Sequence, residues 1–195
     1  MSPSATVRFA VDPAPDGLAF VQQDLMNTVS AGRPRARDLL ADPGEARAWL
    51  DQALTRWSRT TGAHMAHIEL GHRDVEELRS FRDDLRRAAA HGRDGALPPR
   101  HTAAVAMRFG GSGEVRPEPR GTGWRRVAAP ALIEVFQAQR AGTWQRLKLC
   151  RNDRCETAFF DRSRNNSGVW HDVRVCGNAA NLRAYRARQR AVNAP

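Results

Sequence analysis

The sequence predicts an α+β protein. A mostly helical N-terminal domain with a small antiparallel sheet spans residues 1–144, and a small zinc-binding module ending in a basic helix spans 145–195. Three observations carry this prediction. Apolar residues recur at helical spacing in several stretches of the first part. One stretch alternates at period two and runs into a glycine turn. All three cysteines fall between Cys150 and Cys176. With 195 residues, 41% of them hydrophobic and 27% charged, the chain can bury a core. That balance excludes collagen-like, disulfide-scaffold and largely disordered classes.

The first elements are the weakest. Thr6 to Val11 reads as a short strand, followed by a turn over Asp12 to Gly17. Leu18 to Val29 is apolar with polar breaks, and its period does not separate helix from strand. Asp42-Pro43-Gly44-Glu45 is a clear helix start, with an N-cap aspartate, a first-turn proline and an acid at the third position. Ala46, Trp49, Leu50, Ala53, Leu54 and Trp57 supply its buried face. A second helix starts near Asp74, buries Val75, Leu78, Phe81, Leu85 and Ala89, and ends by His91-Gly92.

Val105, Met107 and Phe109 alternate with Ala106 and Arg108, a strand pattern that turns at Gly110-Gly-Ser-Gly113. The returning strand through Val115 carries Pro117 and Pro119, so it is an edge strand at best. A third helix spans Ala128 to Arg140, with Leu132, Val135 and Phe136 facing inward and Gly142 stopping it. No apolar stretch approaches the ~20 residues of a membrane helix. The longest, Val127 to Phe136, is broken by Pro130 and Glu134. Without a basic-then-apolar leader, a cytoplasmic location is expected.

Cys150-x4-Cys155 and His171-x4-Cys176, separated by fifteen residues, have the sequence form of a zinc site. Zinc takes four soft or borderline ligands in a tetrahedron, and three thiolates with one imidazole leave no open position. The site is therefore structural, and metal binding supplies folding free energy to a segment with few apolar residues. Thr157 to Phe160 can form a strand, Asp161 to Gly168 is turn-rich, and Trp170 adjoins His171. The alternative is three scattered thiols and a surface histidine.

A final helix runs from Ala179 to Val192, with Leu182, Tyr185, Gln189 and Val192 on one stripe. Arg183, Arg186 and Arg190 flank it on one side and Arg188 on the other. These arginines either contact phosphates or stay solvated while Leu182 and Tyr185 dock on the first domain. The charge distribution bears on this choice. The net charge is +10, and residues 145–195 hold eleven basic and four acidic residues, most of the excess. Such a segment attracts polyanions or forms a solvated tail.

The stretch Arg146 to Cys155, with Phe160 to Asn165, Trp170-His171, Cys176-Gly177-Asn178 and Arg183 to Arg188, resembles the CGNR-type zinc finger. That finger ends proteins whose N-terminal part is an ABATE domain, a family of stress-induced transcription regulators. Phe20 to Thr28, the helix after Asp42 and the strand pair before Leu132 resemble that domain. The resemblance implies a zinc site at Cys150, Cys155, His171 and Cys176, and DNA as partner. It departs at His171, where the family has cysteine. It departs again at Gly168, Val169, Ala179, Asn181 and Leu182, where the family carries basic residues.

Other candidates are thin. His64, His67, Glu69 and His72 lack a firm fourth ligand for a second metal site. The clusters at Gly110 and Gly121 are turns without a phosphate-loop lysine. No serine or cysteine nucleophile sits in a recognisable motif, so no enzyme is expected. Asp24 and Asn27 either face a ligand pocket or hydrogen-bond locally. The expectation is a DNA-binding regulator with structural zinc, whose Arg162, Arg164, Arg174, Arg183, Arg186, Arg188 and Arg190 meet phosphates. The alternative is a zinc-stabilised ligand-sensing or protein-interaction protein. A small-molecule or protein effector and a homodimer complete the expected partners.

Overall fold

The computed structural model describes residues 8–32, 34–63, 65, 67–91 and 101–192, with the backbone alone at residues 8, 91 and 190–192. Its long elements are helix α1 (Pro43–Thr61), helix α2 (His72–His91), strands β1 (Val105–Phe109) and β2 (Val115–Pro119), and helix α3 (Gly123–Arg140). Strands β3 (Leu147–Leu149) and β4 (Ala158–Phe160) and helix α4 (Asn178–Val192) complete it. Each strand pair forms its own two-stranded antiparallel sheet.

Helix α1 begins where its cap dictates. The Asp42 carboxylate accepts from the Glu45 N–H at 3.0 Å, and Pro43 occupies the first turn, where its missing donor costs nothing. Gly62, at φ 69°, closes the helix in the left-handed region. Ala46, Trp49, Leu50, Ala53, Leu54 and Trp57 are buried, as the spacing predicts. Helix α2 starts two residues before Asp74. That aspartate serves two helices, accepting from Gly71 N–H at 2.9 Å and from Trp124 N–H at 3.0 Å at the start of α3. This borrowed cap explains why α3 starts at Gly123, five residues earlier than its apolar pattern suggests.

Three expectations are corrected. Thr6 and Val7 lie outside the described residues, and Arg8 to Ala10 form a short 3₁₀ turn, not a strand. Phe9 and Ala10 take left-handed φ values of 69° and 51°, which a strand does not accommodate. Phe136 is 63% exposed rather than inward, because Ile133 and Val135 fill the buried side of that turn. Leu182 and Tyr185 are exposed, so they do not dock on the first domain.

The ambiguous segment after Gly17 is helical, with π-helical pitch over Phe20–Leu25 and a 3₁₀ turn over Met26–Thr28. Almost every residue in it is buried, which is why no single face was visible in its pattern. It is also the seat of the β3–β4 hairpin. Asn27 grips Ala158 at both backbone groups, donating to its carbonyl at 2.9 Å and accepting from its N–H at 2.8 Å. Gln22 adds a bond to the same carbonyl at 3.2 Å. Arg86 of α2 bridges the Met26 and Glu156 carbonyls at 2.9 and 2.7 Å. Leu147 and Ala158 belong to the main core with Phe20, Leu50 and Leu78.

Asn27→Ala removes two buried hydrogen bonds, strands the Ala158 N–H and leaves its carbonyl to Gln22 alone. The variant should lose about 2–4 kcal/mol of stability in urea titration. A loss below about 0.5 kcal/mol would show that water replaces the amide without penalty.

Candidate metal centre

The hairpin β3–β4 is the base of the site. Leu147, Lys148 and Leu149 pair with Phe160, Phe159 and Ala158. Cys150 follows β3, and its N–H donates to the Thr157 carbonyl at 2.8 Å. The knuckle between them turns around buried Asn152, whose carbonyl accepts from Cys155 and Glu156 N–H at 2.7 and 3.1 Å. Glu156 takes φ 57° to complete the turn. The other two ligands come from the second half of the module. Asp172 caps a π-helical turn over Val173–Gly177 by accepting from Val175 N–H at 2.9 Å. That turn places Cys176 beside His171 and leads directly into α4.

Cys150, Cys155, His171 and Cys176 converge, with their ligand atoms all within 4.8 Å of one another. The three cysteines are buried and free of disulfides. His171 Nδ1 lies 3.4 Å from Cys155 Sγ and 3.6 Å from Cys176 Sγ. A tetrahedral zinc with ordinary Zn–S and Zn–N lengths gives sulfur–nitrogen edges of about 3.5 Å. Donor set and spacing therefore fit zinc, bound through Nδ1 of the histidine. Trp170 packs against the cysteines and closes one side. His171 completes a set of four ligands.

The thiols need a cation. The hydrogen bond from Cys150 draws the Cys155 thiol down against the effect of burial, with His171 and Thr157 adding to it. The same bond and burial push Cys150 up. Burial also pushes Cys176 up, partly offset by the Asn152 amide. Three sulfurs this close cannot all ionise without a positive charge among them, and zinc supplies it.

A second node holds the segment between the ligand pairs. The buried Asp161 carboxylate accepts from Lys148 Nζ at 2.7 Å, Ser163 N–H at 2.9 Å and Gly168 N–H at 2.7 Å. Burial raises this carboxyl, but Lys148, Ser163 and the backbone donors outweigh it and hold it well below the usual carboxylate range. Lys148 also donates to the Asn166 and Gly168 carbonyls. A Cβ at Gly168 would lie 2.7 Å from Asp161 Oδ1, so no side chain fits there without moving the carboxylate.

The arginines divide. Arg164, Arg174, Arg186 and Arg188 are exposed. Arg183 is committed within the finger, donating to Asn152 Oδ1 at 2.9 Å and Asp153 Oδ1 at 3.2 Å. Arg162 donates to the Pro13 carbonyl at 2.7 Å and lies over the Phe160 ring. The side chain of Arg190 lies outside the described residues. Arg151 and Arg154, exposed on the knuckle, extend the set beyond the arginines that the sequence singled out. Their signal was position between two ligands.

The remaining candidates resolve simply. His64 lies outside the described residues. His67 is exposed and meets Asp51 at 3.2 Å. Among the described residues only the Cys150 group gathers metal-type ligands. Asn27 hydrogen-bonds within the core, whereas Asp24 lines a cleft of about 700 Å³ between the π-helical segment and α1. Phe20, Trp49 and Trp57 wall that cleft, and Arg56 grips Asp24 Oδ1 through Nε at 3.0 Å. Burial raises the Asp24 carboxyl, and Arg56 opposes the rise. No described helix is long and apolar enough to cross a membrane.

Fold and site together define a helical domain carrying a structural zinc finger at its C-terminal end. Residues 21–144 match the family model ABATE, described as "Putative stress-induced transcription regulator", and residues 146–189 match the CGNR zinc finger. The chain belongs to the ABATE family, in the regulator–finger order that the resemblance implied. No curated protein matches it.

Cys176→Ser should abolish stoichiometric zinc, read by metal analysis of the purified protein. Full zinc content in that variant would exclude the ligand set. Asp161→Asn should lower stability at neutral pH. Because the carboxyl is depressed in the fold, its contribution is present above the unfolded value of about 4 and is lost as pH falls through the lower folded value. The stability gap between wild type and variant should therefore hold near pH 7 and narrow in strong acid. A gap that does not change with pH would refute that assignment.

Proposed function

We propose that this chain is a non-enzymatic transcription regulator that binds DNA through the exposed arginines of its zinc finger. The observation that carries this reading is the state of α4. Arg183 anchors the helix to the knuckle, and its remaining length leaves Arg186 and Arg188 in solvent, with Leu182 and Tyr185 uncovered. A helix fixed at one end by a metal knuckle and free along its cationic side suits contact with a phosphate backbone. Arg164 and Arg174 add cations from the segments that frame His171.

Fluorescence anisotropy with a mixed-sequence duplex tests this. If Arg164, Arg174, Arg186 and Arg188 each neutralise one phosphate, log K should fall with log salt at a slope of roughly −3.6, or about 100-fold between 50 and 200 mM. Arg186→Ala/Arg188→Ala should flatten the slope by about 1.8 and keep zinc. Absence of binding at low salt would sink the reading.

The cleft supports an effector as well. Its floor is the π-helical segment, whose Gln22 and Asn27 hold the zinc hairpin at Ala158. An aromatic molecule against Trp49 and Trp57 would therefore press on the finger's seat. Calorimetry with 2-naphthoate should show binding that Ala48→Trp, which fills the cleft, eliminates. Equal binding by both proteins would remove the cleft from the account.

A further inference from the structure

The β1–β2 hairpin carries an apolar face that is buried at its root by Pro119 and open to solvent toward its turn. Opposed residues in an antiparallel pair share a face. The register Val105–Pro119, Met107–Pro117 and Phe109–Val115 therefore gathers six apolar residues on one side. Four of them are exposed: Val105 by 38%, Met107 by 66%, Phe109 by 77% and Val115 by 57%. The opposite side is polar, and its charges are paired, Arg108 with Glu118 and Arg116 with Glu114. The exposed strip is on the order of 400 Å², the size of the largest apolar patch on a typical monomer, which is often functional.

The two edges of the ribbon are not equivalent. The bonds Gly110 N–H to Glu114 O, 2.7 Å, and Arg120 N–H to Ala104 O, 2.9 Å, set the alternation. Even-numbered residues of β1 bond to β2, so Val105, Met107 and Phe109 aim their N–H and C=O groups outward. On β2 the outward positions include Pro117 and Pro119, which have no N–H to offer. Only the β1 edge can accept a further strand, and β1 and β2 form a sheet of two.

We propose that the outer edge of β1 is a dimerisation surface occupied by β1 of a second copy of this chain, antiparallel about a two-fold axis at Met107. The strand is self-complementary in that register. Met107 faces its own copy, Val105 faces Phe109, and Ala106 faces Arg108, so no like charges oppose. The exposed apolar side chains of both copies then form one continuous face across the axis. Edge pairing buries the flanks of these side chains and not the strip itself, so main-chain bonds carry the contact and the dimer is concentration-dependent. The proposal stands whether or not the finger binds DNA.

Sedimentation equilibrium of the full zinc-loaded chain, from low to high micromolar concentration, should give a mass rising to twice the monomer. Met107→Glu and Met107→Lys place like charges on the axis, and each should stay monomeric with zinc content and circular dichroism unchanged. An equimolar mixture of the two should dimerise again, because residue 107 then meets its opposite charge. A wild-type protein that is monomeric throughout, a Met107→Glu variant that still dimerises, or a mixture that stays monomeric would each overturn the proposal.

Discussion

The clasp of Ala158 by Asn27 is the constraint on which the rest depends. A two-stranded hairpin has two edges of unpaired backbone groups, and burying one leaves strong donors and acceptors to be satisfied. Strand β4 is buried against the π-helical segment, which has no strand to offer. Asn27 substitutes for one, presenting an amide carbonyl and an amide N–H in the spacing of a peptide group. Arg86 performs the same service for Met26 and Glu156, whose carbonyls would otherwise be stranded at the join. The side-chain amide and guanidinium thus do work that secondary structure does elsewhere, and they do it between the two segments that the family models separate.

This places the zinc knuckle on a fixed base. Cys150 leaves β3 and Cys155 leads into β4 three residues later through Thr157, so both ligands inherit the hairpin's register. His171 and Cys176 have no such base. They are brought in by the Asp161 node and by Asp172, two carboxylates that fold the intervening chain through short backbone contacts. Apolar burial contributes little there, and zinc closes a loop that turns alone would leave loose. The ordering of α4 follows from the same closure, since Cys176 precedes its first residue by two positions.

Legibility in the sequence tracked how each element is specified. The start of helix α1 was readable to the residue because Asp42 and Pro43 act locally. The zinc ligands were readable because metal geometry demands a spacing that composition does not mimic. Three features were not. The π-helical segment is buried on all sides, so no face could show in its pattern. The early start of α3 depends on Asp74, fifty residues away. The commitment of Arg183 to Asn152 and Asp153 is a tertiary contact between a helix and a knuckle. Phe136 misled because its spacing fits the buried stripe, while the neighbours that fill that stripe are fixed by packing.

The departures from the family pattern acquire a physical account at one position. The resemblance implies a basic residue at Gly168, and a Cβ there would lie 2.7 Å from Asp161 Oδ1 unless the carboxylate moved. The carboxylate is needed, since it gathers Ser163, Gly168 and Lys148 into the turn that carries the chain toward His171. Lys148, the only lysine of the protein, is spent on that turn, donating to Asp161 and to two carbonyls. The exposed charge of the finger is carried by Arg151, Arg154, Arg164 and Arg174 and by Arg186 and Arg188 of α4. Under the proposed reading, a phosphate backbone would meet this finger along its last helix, which Arg183 ties to the knuckle.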